Sequence, residues 1–255
     1  ADYDYYPTLY DWKLKKNIDF LNNQAIFTKD ELVANRAVIK SLYENLISFN
    51  KGNPQLYFQH QKLMFENNIK TDDKFLQKQI DIVNSPENGE YKILIVKSIA
   101  QELQQKSEFK EAIRWIEKIK AEYPNSKLLS NLVYLENTIK QPFVGVFYEE
   151  HNIPEKPIHI VAQHKNADRF EIKIYRVNDF KKQLLFLQNI NYDEYYKKID
   201  KTLFRNDVFE VPNEKDFKPY TTSLEMNGLP KGLYIGEYIN GKDISKFLFV
   251  STSSR

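Results

Sequence analysis

The apolar residues of this chain change period near Gln141-Pro142, and that change limits the available folds more than any other feature. Before it, apolar side chains recur every three to four positions, the spacing that lines one face of a helix. After it they alternate in twos, the spacing that lines one face of a strand. The reading is α+β in two domains: residues 1–141 all-helical, residues 142–255 an antiparallel β-sandwich. A length of 255 residues suffices for two cores of ordinary domain size.

Composition narrows the function classes. Apolar and charged fractions of 42% and 28% belong to a folded globular chain rather than a disordered one. A net charge of +2 gives the molecule as a whole no strong draw toward nucleic acid or an anionic membrane. With no cysteine there is no disulfide, thiolate metal site, cysteine nucleophile or thioester within these residues. No apolar run approaches a membrane span, so no membrane insertion is expected within the segment. The opening Ala1-Asp-Tyr-Asp-Tyr-Tyr-Pro7 reads as a cut, with any leader removed upstream.

The helical half is punctuated by recognisable starts and stops. Residues 8–27 carry Leu9, Trp12, Ile18 and Leu21, a first helix after Pro7. Thr28-Lys-Asp-Glu31 has the form of a capping box. Val38, Ile39, Leu42, Tyr43, Leu46 and Ile47 continue at helical spacing until Gly52-Asn-Pro54 breaks it. Leu56 to Phe65 and Phe75 to Val83 predict two more helices, followed by a turn at Ser85-Pro86. The clearest pair has Ile93, Val96, Ile99, Ala100 and Leu103 on one helix and Phe109, Ala112, Ile113, Ile116 and Ile119 on the next. With small residues at the crossing and Pro124 beyond it, this pair resembles one tetratricopeptide repeat. Residues 36–83 do not repeat it at the expected period, and Leu128 to Ile139 would cap the array.

In the second half the pattern predicts roughly seven short strands. They run over Phe143 to Tyr148, Ile158 to Ala162, Phe170 to Val177, Val208 to Val211, Thr221 to Met226, Leu233 to Ile239 and Lys246 to Val250. A helical insertion is expected near residues 190–200, around Tyr192 to Tyr196. Asn227-Gly228 and Asn240-Gly241 are turn signals, the second suited to a hairpin.

No metalloprotease, nucleophile-elbow, phosphate-loop or dinucleotide motif is present. His60 lies among polar residues on a predicted helix and is expected at the surface. His159 and His164 fall on opposite faces of a strand and cannot jointly chelate a metal. His151 after Glu149 and Glu150 reads as a solvated acidic turn. Asp72/Asp73 and Asp193/Glu194 are adjacent rather than convergent, so neither pair is assigned acid–base chemistry. Tyr3, Tyr5, Tyr6, Tyr10 and Trp12 are expected to anchor the N-terminus on the helices rather than to stack a sugar or peptide. Lys13, Lys15 and Lys16 form a small basic cluster. The chain is read as no enzyme, with no catalytic, cofactor-binding or metal residue assigned and no cofactor expected.

Two stretches carry a family resemblance. Tyr6-Pro7-Thr8-Leu9-Tyr10-Asp11, with Ile18-Asp19-Phe20, opens the first helix, and Leu229-Pro230-Lys231-Gly232-Leu233-Tyr234-Ile235 precedes a strand closing at Phe249-Val250-Ser251-Thr252. Together they resemble the N-terminal region of large bacterial alpha-2-macroglobulin-like proteins, where a helical segment precedes fibronectin-like macroglobulin sandwiches strung in series. The resemblance implies a secreted, periplasmic or cell-surface protein that traps or inhibits proteases. These residues would then be scaffold, with other domains of the same longer chain as partners and proteases engaged through the parent. No family functional residue maps onto a cysteine-free segment, and the partners include no nucleic acid. In this setting Gly232 is expected to hold a turn conformation and Tyr234 to pack at the sandwich edge. The alternative is a stand-alone envelope adaptor, binding a protein, peptide or glycan through the helices and the sandwich.

Overall fold

The computed structural model describes residues 5–25, 28–178, 199–240 and 243–252. It is α+β: seven α-helices among the described residues, then two β-sheets. The chain divides into a unit of residues 1–139 and a unit of residues 140–255.

In the first unit the helices are α1 (Leu9–Asn23), α2 (Lys29–Phe49), α3 (Asn53–Ile69), α4 (Phe75–Asn84), α5 (Lys92–Gln105), α6 (Phe109–Glu122) and α7 (Ser130–Lys140, its last residue in the next unit). A short 3₁₀ turn over Lys127–Leu129 leads into α7. Capping boxes start α1 and α2: Thr8 is paired with Asp11, and Thr28 with Glu31. Asp11 does a second job. Buried on the inner face of α1, it accepts 2.7 Å from the Asn50 Nδ2 at the end of α2. Each helix from α1 to α6 packs on its sequence neighbour, and α3 also touches α5.

The α5–α6 hairpin closes tightly for local reasons. Ser107 adopts a left-handed conformation (φ 59°), while the Glu108 and Ser107 amides donate back to Leu103 and Gln104 at 2.8 and 3.0 Å. That is a Schellman-type ending, formed here without glycine. Ala100 and Ala112 are fully buried, which lets the two backbones approach.

In the second unit the strands are β1 (Phe143–Tyr148), β2 (His151–Asn152), β3 (Ile158–Lys165), β4 (Arg169–Val177), β5 (Lys201–Glu210), β6 (Tyr220–Met226), β7 (Gly232–Asn240) and β8 (Asp243–Ser251). One sheet has the order β1-β3-β6, the other β2-β8-β7-β4-β5. All pairings are antiparallel except β2 with β8, where His151 lies beside Val250. This parallel pair departs from the expected all-antiparallel pattern, and two residues are too short to show a period. The helix expected near residues 190–200 falls almost wholly outside the described residues; Ile199 is buried beside Val177, Leu233 and Ile235. Asn240 pairs with Asp243, leaving Gly241 and Lys242 of the expected hairpin turn outside the described residues.

The alternation seen in the sequence becomes burial. Along β4, Phe170, Ile172, Ile174 and Val177 are buried while Glu171 and Lys173 are exposed. The inward residues of both sheets meet in one core: Ile160 and Ala162 from one, Ile172, Tyr234 and Phe247 from the other. Burial of this apolar surface is the main stabilising term, roughly 25 cal/mol for each Å² removed from water.

Tyr234 and Gly232 differ from the sequence-based expectation. Tyr234 is 0% exposed, so it belongs to the core rather than the edge. Gly52 is the one glycine with a positive φ among the described residues, so Gly232 has no turn conformation to protect. What Gly232 supplies is space: a Cβ there would lie 3.2 Å from the Tyr234 ring.

Candidate functional site

A cleft of the helical unit lies where the end of α3, the α3–α4 connection and the outer face of α5 converge. Its volume is about 560 Å³, and its walls include Asn67, Thr71, Ser98, Gln101, Glu102 and Gln105. Helical spacing puts Ser98, Gln101 and Gln105 on one side of α5, opposite the apolar residues that bind α5 to its neighbours.

The cleft's carboxylates are spoken for. Asp72 pairs with Lys78 at 2.7 Å and accepts the Lys74 amide at 2.9 Å. The hydrogen bond from Lys78 is the main reason its carboxyl titrates below the ordinary range, with the Lys74 amide adding to it. Glu102 pairs with Lys106 at 2.8 Å through Oε1, and its Oε2 accepts 3.2 Å from Gln79 Nε2. Asp72, held ionised by the Lys78 ammonium, is a poor proton donor. The cleft thus combines ion-paired carboxylates with amides and hydroxyls that both donate and accept hydrogen bonds.

Behind Glu102 a polar line runs into the interior. Gln79 is fully buried, and beyond it lies His60, 7% exposed. His60 Nδ1 is 3.2 Å from the Tyr91 hydroxyl. The expectation that His60 sits at the surface is overturned: α3 buries Leu56, Tyr57, Phe58, His60 and Leu63 together, leaving no wet face at that position. Burial pushes the imidazole down to about 4, only partly offset by the neighbouring Gln79 amide. His60 Nε2 and Gln79 Oε1 both lack a partner in hydrogen-bond geometry.

Tyr91 belongs to an aromatic cluster that secures the start of the described chain. Tyr5 stacks on Tyr57 at 4.8 Å and meets Tyr91 edge-on at 5.0 Å, and the Tyr6 and Tyr57 hydroxyls are 2.8 Å apart. Tyr5 and Tyr6 are thus anchors, as expected, whereas Tyr10 and Trp12 are exposed and Tyr3 lies outside the described residues.

No family model and no curated protein matches this chain.

The remaining histidines lie in the β unit. On β3, His159 is exposed and His164 buried, on opposite faces as the spacing requires. His164 Nε2 is 2.9 Å from Thr222 Oγ1, and burial lowers its pKa. A smaller cleft of about 180 Å³ brings His159 near His151 and Glu149. Among the described residues no three His, Cys, Asp or Glu side chains are grouped to hold a metal ion. Of the adjacent acid pairs, Asp72 is held by Lys78, and Asp193 and Glu194 lie outside the described residues. No described helix is long and apolar enough to cross a membrane.

Gln79 and Glu102 carried no signal as a site. The one hint was Gln79 between Phe75 and Val83, four residues from each, on a stripe otherwise apolar.

Proposed function

We propose that these residues form a non-catalytic scaffold and interaction segment of a bacterial alpha-2-macroglobulin-like protease inhibitor or trap, working outside the cytoplasm. In this reading the helical unit is a tetratricopeptide-like docking array and the β unit a fibronectin-type macroglobulin sandwich. The observation that most supports it is the Tyr234 hydroxyl, which donates 2.9 Å to the Pro230 carbonyl from inside the shared core of two sheets. A tyrosine reaching back to the backbone at the start of a strand is a recurring corner of sandwich domains. It occurs here within the Leu-Pro-x-Gly-x-Tyr stretch that carries the family resemblance.

The test uses the native full-length protein mixed with trypsin. A trap leaves cleavage of a small peptide substrate intact while blocking cleavage of a large protein substrate. Unchanged digestion of both substrates contradicts the reading. The polar cleft beside α5 favours a second role, an envelope adaptor that grips an extended peptide through the Gln101 and Gln105 amides. That role predicts peptide capture by the 255-residue chain alone, weakened by Gln101→Ala with Gln105→Ala.

A further inference from the structure

The outward face of α1 is unusual for a solvated helix. Leu9, Lys13, Lys16 and Phe20 succeed one another at spacings of four, three and four, so they share one face. That face lies opposite the buried Asp11, Leu14 and Ile18. Leu9 is 80% and Phe20 68% exposed, and Trp12 on the flank is 42% exposed. Lys16 Nζ sits 5.7 Å from the Trp12 ring centroid. At the helix start, exposed Tyr10 meets exposed Phe49 edge-on at 5.8 Å, extending the apolar surface.

The charges on this face are all of one sign. Of the two acids of α1, Asp11 is buried in its cap and Asp19 pairs with Lys15 on the flank. Neither Lys13 nor Lys16 has a carboxylate partner among the described residues.

We propose that this face is an interfacial lipid-binding surface that seats the helical unit on an anionic bilayer leaflet. The placement of the lysines decides between lipid and protein. They lie in the middle of the apolar stripe, where a protein partner would have to bury them, and interface cores are depleted of lysine for that reason. A headgroup layer accepts the same arrangement: the ammonium groups reach phosphates while Leu, Trp and Phe enter the acyl boundary. The whole-chain charge of +2 supplies little long-range attraction, so the contact depends on these local cations. It lies flat on the surface and involves no spanning helix.

The test is co-sedimentation of the 255-residue chain with vesicles of phosphatidylglycerol and phosphatidylcholine in equal parts, against phosphatidylcholine alone. Binding is expected to the anionic vesicles only. Trp12 emission should shift to the blue, readable because the other tryptophan, Trp115, is already 9% exposed. Lys13→Gln with Lys16→Gln should weaken partitioning about fivefold per lysine. Leu9→Ser with Phe20→Ser should abolish it, with circular dichroism and Tm unchanged because both residues are exposed. No binding, equal binding to both vesicles, or binding that survives both double variants overturns the proposal.

Discussion

The Tyr234 hydroxyl reaches back to the Pro230 carbonyl over a glycine, Gly232, whose missing side chain leaves room for the ring. Sequence, turn and core are linked through that bond. Tyr234→Phe keeps the ring and loses the donor, so it should cost about 1 kcal/mol in urea unfolding. Tyr234→Ala should cost about 3 to 5 kcal/mol by emptying the core. Equal, negligible losses for both would place the ring outside the core.

Two glycines should rank in a set order. A Cβ on Gly236 would lie 2.2 Å from Phe247 Cζ across the β7–β8 pair, whereas one on Gly232 meets Tyr234 at 3.2 Å. Gly236→Ala should therefore destabilise by about 2 to 3 kcal/mol and Gly232→Ala by clearly less. Adding Phe247→Leu should recover part of the Gly236→Ala loss, since the two positions are in contact. The same melting temperature for both alanine variants would refute the packing argument.

These positions show what was legible in the sequence and what was not. Strand alternation in β4 and the α5–α6 stripe stood out because each element is wet on one side, so its period survives. In α3 nearly every position is buried or half-buried, with α2, α4 and α5 packed around it, so periodicity fades, and His60 between Gln59 and Gln61 passed for a surface residue. Gly232 was recognised as necessary for the wrong reason: one strand's sequence does not show which ring lies over a glycine. The polar cleft was invisible because Gln79 and Glu102 meet only when α4 packs on α5.

Acid should weaken the helical unit through His60. Its folded pKa of about 4 lies below the ordinary 6.5, so between those values the unfolded chain binds more protons. Stability from this group is complete above pH 6.5, falls as the pH drops toward 4, and levels off below it. The loss is on the order of 3 kcal/mol. Urea midpoints against pH should show the slope, and His60→Gln should flatten it. A slope unchanged by the substitution would assign the acid sensitivity to other groups.

The Asp11–Asn50 contact joins the start of α1 to the end of α2. Asp11→Ala removes half of a capping box and leaves the buried Asn50 amide short of an acceptor. A loss of about 2 to 3 kcal/mol is expected. Glu31→Ala, in an exposed capping box, should cost about 1 kcal/mol or less. Chemical denaturation of both variants compares them directly, and equal losses would count against the buried tie.

The proposed scaffold role within a larger macroglobulin-like protein is tested most directly by the reading frame of the native gene on both sides of this segment. The account predicts a leader upstream and a long series of β-domains downstream. A stop codon soon after the Arg255 codon would contradict it.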